Sequence, residues 1–212
     1  MIEQISEAST RGWGSLLLAS GCRYELTAPA GLAGPNGANG LPAITGNDTI
    51  TGTRASIVRD ATTPFRVAEV GPQGSLSLNG ITVSGGSVTG DDGVGSGGGI
   101  LTAGRLLMVT SRVTDNTASR LGGGIAALSG ATARLVSSTV SDNTGGDGGG
   151  ISVAESATLT ANAGAIRDNT RSSPVGDCST PAPRSSMAPR SWRTRPSPSM
   201  AAESSQGSVR SP

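Results

Sequence analysis

The tetrapeptide Gly-Gly-Gly-Ile occurs three times in this chain, at Gly97 to Ile100, Gly122 to Ile125 and Gly148 to Ile151. Each copy is followed by Asp-Asn-Thr, at Asp115 to Thr117, Asp142 to Thr144 and Asp168 to Thr170, with the Asn 16 to 18 residues beyond the Ile. A phrase that recurs at a step of about 25 residues marks a repeat architecture: one unit cannot bury its apolar side alone and must stack on its neighbours.

The residues between the two phrases also keep register. Three positions before each Asn stand Val113, Val140 and Ile166; eight before stand Met108, Leu135 and Ala161; ten before stand Leu106, Ala133 and Leu159. The same ruler laid at Gly86 meets Val83, Leu78 and Leu76, which identifies an earlier and less regular copy. Positions ten and eight before the Asn alternate, so in a strand their side chains share one face.

Glycine and β-branched content excludes an α-solenoid, and the strands are too short to stand alone as hairpins. What remains is a coil that winds once per repeat, with equivalent strands in parallel register about 4.8 Å apart. Ile100, Ile125 and Ile151 then form one internal column, and Val113, Val140 and Ile166 another. At the corners, backbone groups leave the ladder and need partners. Stacked Asn116, Asn143 and Asn169 are placed to supply them while adopting left-handed geometry, and the triple Gly allows positive φ and close approach of coil to coil. The fold class expected is all-β: a right-handed single-stranded parallel β-helix of six or seven coils.

Before the repeats, Ile2, Ile5 and Ala8 suggest a short amphipathic helix that caps the first coil. Leu16 to Ala19 and Tyr24 to Thr27 read as short strands, and residues 28–41, rich in Gly, Pro, Ala and Asn, as a loop. Strand signal resumes at Thr49 to Thr51, Ala55 to Val58 and Phe65 to Val70. After Arg171 the character changes: seven of the 12 prolines and 12 serines lie there with only two Gly. The division expected is a parallel β-helix with its cap over 1–173, and a disordered Pro/Ser/Arg-rich tail over 174–212. Out-of-frame translation of further coils is an alternative origin for that tail.

The Gly-Gly-Gly-Ile and Asp-Asn-Thr units resemble the repeats of right-handed parallel β-helix proteins of the pectin-lyase-like group. They are similar in particular to the polymorphic outer-membrane-protein type of repeat on bacterial surfaces, marked by Gly-Gly-aliphatic and x-x-Asn. The run Leu18 to Thr27 and Gly40 to Ile44 resembles the first coils of such proteins, so the likeness covers residues 1 to 173. It implies the fold and leaves function open, since members include adhesins, passenger domains and polysaccharide enzymes.

Composition narrows the chemistry. There is no His and no Lys, and aromatics are 2%. Ser and Thr therefore lack a conventional activating base. Asp115, Asp142 and Asp168 form a regular acidic array, read as solvated corner residues rather than as Ca²⁺ ligands or a hydrolytic pair. Glycoside hydrolysis needs two acids facing each other across a cleft, and Trp13, Tyr24, Phe65 and Trp192 are scattered. Asp91-Asp92 sits in a loop without Arg or Lys, Asp147-Gly148-Gly149 lacks the spacing of Ca²⁺-binding nonapeptides, and the sequon Asn47-Asp48-Thr49 is a weak signal. No catalytic, cofactor or metal site is assigned. Cys22 and Cys178 are free to pair or to stay apart.

A net charge of +1 gives no reason to expect nucleic acid as a partner, no stretch reaches the length of a membrane span, and no leader is visible. The expectation is a monomeric, non-catalytic secreted or cell-surface repeat protein, a rigid scaffold for adhesion to a glycan or protein. The alternatives are a carbohydrate-active lyase or hydrolase of the same fold, and a non-functional fragment of a longer surface protein.

Overall fold

The structure, a computed structural model, describes Glu3, Gln4, Glu7 and residues 11–172. β1 (Trp13–Leu17) and β2 (Arg23–Leu26) lie beside the two halves of the long β3 (Asn47–Arg59). β4 (Ala68–Val70), β5 (Ser75–Ser84) and β6 (Ser87–Val88) follow. The first full repeat gives β7 (Ile100–Thr102), β8 (Arg105–Val109), β9 (Arg112–Thr114) and β10 (Thr117–Leu121). The second gives β11 (Ile125–Ala127), β12 (Thr132–Val136), β13 (Thr139–Ser141) and β14 (Thr144–Asp147). The third gives β15 (Ile151–Val153), β16 (Thr158–Asn162), β17 (Ala165–Arg167) and β18 (Thr170–Arg171).

Every strand pairing is parallel, and each strand meets its equivalent one turn away. The strands form a ten-stranded sheet that bends between β8 and β9 and between β12 and β13, and two four-stranded sheets, β4-β7-β11-β15 and β6-β10-β14-β18. The result is a parallel β-solenoid of about five turns, fewer than the six or seven expected. The shortfall lies at the start, where residues 13–26 supply only two short strands beside β3. Ile2, Ile5 and Ala8, on which the expected capping helix rests, lie outside the described residues, and that helix is not supported. The tail, with Cys178 and Trp192, also lies outside them.

The interior is built from the columns that the spacing indicates. Ile125 pairs in register with Ile100 and Ile151, and Val140 with Val113 and Ile166. Leu16, Ile50, Leu78, Met108, Leu135 and Ala161 follow one another through the ten-stranded sheet. Ile100, Ile125, Val113 and Val140 have no exposed surface. Each such side chain contributes at most about 1.5–3 kcal/mol by burial. Only stacking supplies it, as the last turn shows: Ile166, with a neighbour on one side among the described residues, is 51% exposed.

Candidate functional site

The two recurrent phrases touch each other, which explains why they recur together. The first Gly of each triplet, Gly97, Gly122 and Gly148, has φ of 65°, 54° and 66°. The second lies under the Thr carbonyl of the corner: a Cβ on Gly98, Gly123 or Gly149 would stand 2.3 Å from the oxygen of Thr117, Thr144 or Thr170. The third lies against the corner Asn, where a Cβ on Gly99 or Gly124 would stand 3.0 Å from the carboxamide of Asn116 or Asn143.

That Asn is buried at Asn116 and Asn143, half-buried at Asn169, and forms a ladder. The backbone N–H and Nδ2 of Asn116 both donate to Oδ1 of Asn143, at 3.1 and 2.9 Å. Asn143 donates in the same way to Oδ1 of Asn169, at 3.0 Å for each bond. Below, the N–H of Gly86 donates to Oδ1 of Asn116. The left-handed conformation expected of the Asn belongs instead to the residue before it: Asp115, Asp142 and Asp168 have φ of 56°, 58° and 55°. Asp tolerates this region because its short polar side chain bonds locally, and the turn frees Asn to point inward.

The three Asp are therefore exposed corner residues. Asp115 accepts from the Thr114 hydroxyl at 3.0 Å, and Asp168 pairs with Arg167. Among the described residues no group of three His, Cys, Asp or Glu side chains is arranged to hold a metal ion. Asp147 pairs with Arg171 at 2.5 Å. The Asp91-Asp92 loop has no cation of its own, yet the fold brings one to it: Arg120 of β10 reaches Asp92 at 3.2 Å.

A second cation lies beneath that loop. Arg66 has no exposed surface. Its guanidinium donates to the carbonyls of Gly93 at 2.7 Å, Val94 at 3.2 Å and Ser96 at 3.1 Å, to Oδ1 of Asn39 at 3.0 Å, and to Glu69 at 3.4 Å. Glu69 accepts in turn from Asn36 and Asn39, at 2.7 and 2.8 Å. Burial draws the Arg66 pKa below its usual value, and the Glu69 carboxylate opposes that shift. The network joins the loop near Asn36 to the loop near Gly93 and holds both against β4. A charged pair inside the apolar run Phe65 to Val70 is its only trace in the sequence.

The corner at the other end of β9 and β13 carries a shorter ladder made of serine. Ser111 N–H donates to Oγ of Ser138, and Ser111 Oγ accepts from the N–H of Ile81. Thr110 and Ser137 precede them with φ of 46° and 48°. Here Ser plays the part of Asn and its neighbour the part of Asp. The repeated Val-x-Ser-x-Val of residues 109–113 and 136–140 was the available signal. On the outer side of this bend runs a polar groove of about 500 Å³, whose lining includes Arg54, Asn79, Thr82, Arg112 and Thr139.

The aromatic residues do not converge among the described residues. Trp13 is 69% exposed on β1, the Tyr24 hydroxyl accepts from the N–H of Ala19, and Phe65 is buried under the guanidinium of Arg59, 5.1 Å from its ring centre. Cys22 is exposed. Comparison with protein-family models, with curated proteins and with solved structures finds no match.

Proposed function

We propose that this chain is a non-catalytic repeat protein of a cell surface or secretion, a rigid scaffold whose outer columns recognise a glycan or protein. One observation carries this reading. The inward columns through Ile125, Val140 and Leu135 stay apolar turn after turn, whereas the outward column beside them reads Trp13, Asn47, Ser75, Arg105, Thr132 and Thr158. The repeated residues hold turn to turn, and the residues that vary face solvent. A surface that varies on a fixed frame is suited to recognition. The turn-to-turn phrases also support placing the chain with right-handed β-helices of the pectin-lyase-like group and with the polymorphic outer-membrane type of repeat; right-handedness is the expected hand for parallel crossovers.

The test is binding and turnover measured on one preparation of the full chain. Immobilised bacterial and host-cell glycans and surface proteins are screened for retention, and the same polymers are assayed for new reducing ends with and without Ca²⁺. Retention without chain shortening is the expected result. Shortening of a polymer that Asp142→Asn abolishes would overturn the scaffold reading in favour of an enzyme.

A further inference from the structure

Over residues 11–172 the chain holds eleven arginines and eleven carboxylates, so this part is neutral overall. The charges are not mixed evenly. The strands of the ten-stranded sheet hold seven of those arginines and only two carboxylates, Glu25 and Asp48. Glu25 is engaged by Arg23, and Asp48 is buried. The remaining acids lie on corners, in loops and on the other sheets.

Partnering sharpens the contrast. Arg11, Arg23, Arg66, Arg120, Arg167 and Arg171 each pair with a carboxylate, and Arg59 donates to the carbonyls of Thr63 and Gly85. Four arginines have no such partner among the described residues: Arg54, Arg105, Arg112 and Arg134. All four are exposed, and all four belong to this sheet. Arg105 and Arg134 lie on neighbouring strands two residues out of register, which sets their Cα atoms about 8 Å apart. Arg112 continues the Arg105 turn beyond the bend, and with Arg54 it lines the polar groove there.

We propose that this face binds a sulfated glycan chain, an inference that rests on the scaffold reading above. An unpaired guanidinium offers a planar fork of donors to an oxyanion, and the hydroxyls and amides between the arginines, Ser77, Asn79, Thr132 and Thr139 among them, match sugar hydroxyls. The arginines lie on three of four adjacent turns rather than gathered round one point, which suits a polymer and not a small anion. The close pair, Arg105 and Arg134, favours a chain with more than one anionic group per sugar over a polyuronate with one. Nucleic acid is disfavoured, because Trp13 is the one exposed aromatic ring among the described residues, whereas single strands bind by successive base stacking.

The full chain is titrated with a size-defined heparin oligosaccharide, with polygalacturonate, with neutral dextran and with a single-stranded oligonucleotide at matched charge, over a range of salt. The heparin oligosaccharide is expected to bind most tightly, with affinity falling steeply as salt rises. The double variant Arg105→Gln, Arg134→Gln is expected to lose affinity at least tenfold at low salt and to show a shallower salt dependence. Arg120→Gln, on another sheet, is expected to bind as the parent does. Circular dichroism matching the parent shows that each variant is folded. Equal or tighter binding of polygalacturonate or the oligonucleotide, an unaffected double variant, or no retention of heparin at low salt each overturns the proposal. A chain that retains a protein or a neutral glycan but no polyanion defeats this inference and leaves the scaffold reading standing, whereas release of reducing ends defeats the scaffold reading itself.

Discussion

Asn143 is wholly buried, yet none of its side-chain polar atoms lacks a partner. Its Nδ2 donates to the carbonyls of Val113 and Ser141 and to Oδ1 of Asn169, and its Oδ1 accepts both donors of Asn116. Truncation removes the partners of several groups that water cannot reach, each costing about 1–3 kcal/mol. Asn143→Ala is expected to lower unfolding stability by about 2–5 kcal/mol in urea titration, allowing for partial relaxation. Asp142→Asn, one residue away but exposed and able to keep the left-handed turn, is expected to stay within about 0.5 kcal/mol of the parent. Equal effects at the two positions would show that the ladder contributes nothing beyond the turn. Thr102 presents the opposite case. It is buried in the column with Val70 and Ala127, and its hydroxyl has no hydrogen-bond partner among the described residues. Thr102→Val removes that orphaned group at nearly constant volume, and a stabilisation of about 1 kcal/mol is expected from the same titration. A loss of stability would mean that the hydroxyl has a partner after all.

Among the elements, the loop between β6 and β7 is held by charge rather than by repetition. Arg66 supplies donors to three of its carbonyls, and Arg120 reaches its Asp92. Arg66→Met would leave Glu69 buried without its cation, and breaking a buried pair from one side costs about 3–5 kcal/mol. The expected sign is local as well as global: a non-specific protease should cut residues 89–96 many-fold faster in the variant while the core strands still resist. Unchanged cleavage would show that the loop is held by its other contacts. This contrast also explains what the sequence discloses and what it withholds. Ile125, Val140 and Leu135 are legible because the same demand recurs at each turn and leaves a spacing to measure. Asn143 is legible as a ladder residue for that reason, although the left-handed turn belongs to Asp142. Arg66 occurs once, so no ruler finds it, and its burial depends on two loops that come together only in the folded chain. The outward arginines are equally hidden, because Arg105, Arg112 and Arg134 share no repeat position.

At the scale of the molecule, each turn is bonded only to the turns beside it, so protection should be graded along the axis. Val113 and Val140 are fully buried whereas Ile166, in the same column, is half-exposed. Amide hydrogen exchange is expected to be slowest in β8, β9, β12 and β13 and faster in β16 and β17. Uniform protection across these strands would show that the last described turn is covered. The Asn ladder has one further consequence, which concerns ancestry rather than strength. From Asn116 to Asn143 the chain advances one full turn and presents the same corner, the same glycine contacts and the same bond to the next Asn. A recombination event that joins equivalent points of two repeats, adding or removing a whole turn, leaves every junction chemically as it was. Such a gene can change the reach of its product in steps of about 4.8 Å, and it can add a new row of outward side chains with each turn gained, without its interior having to be invented again.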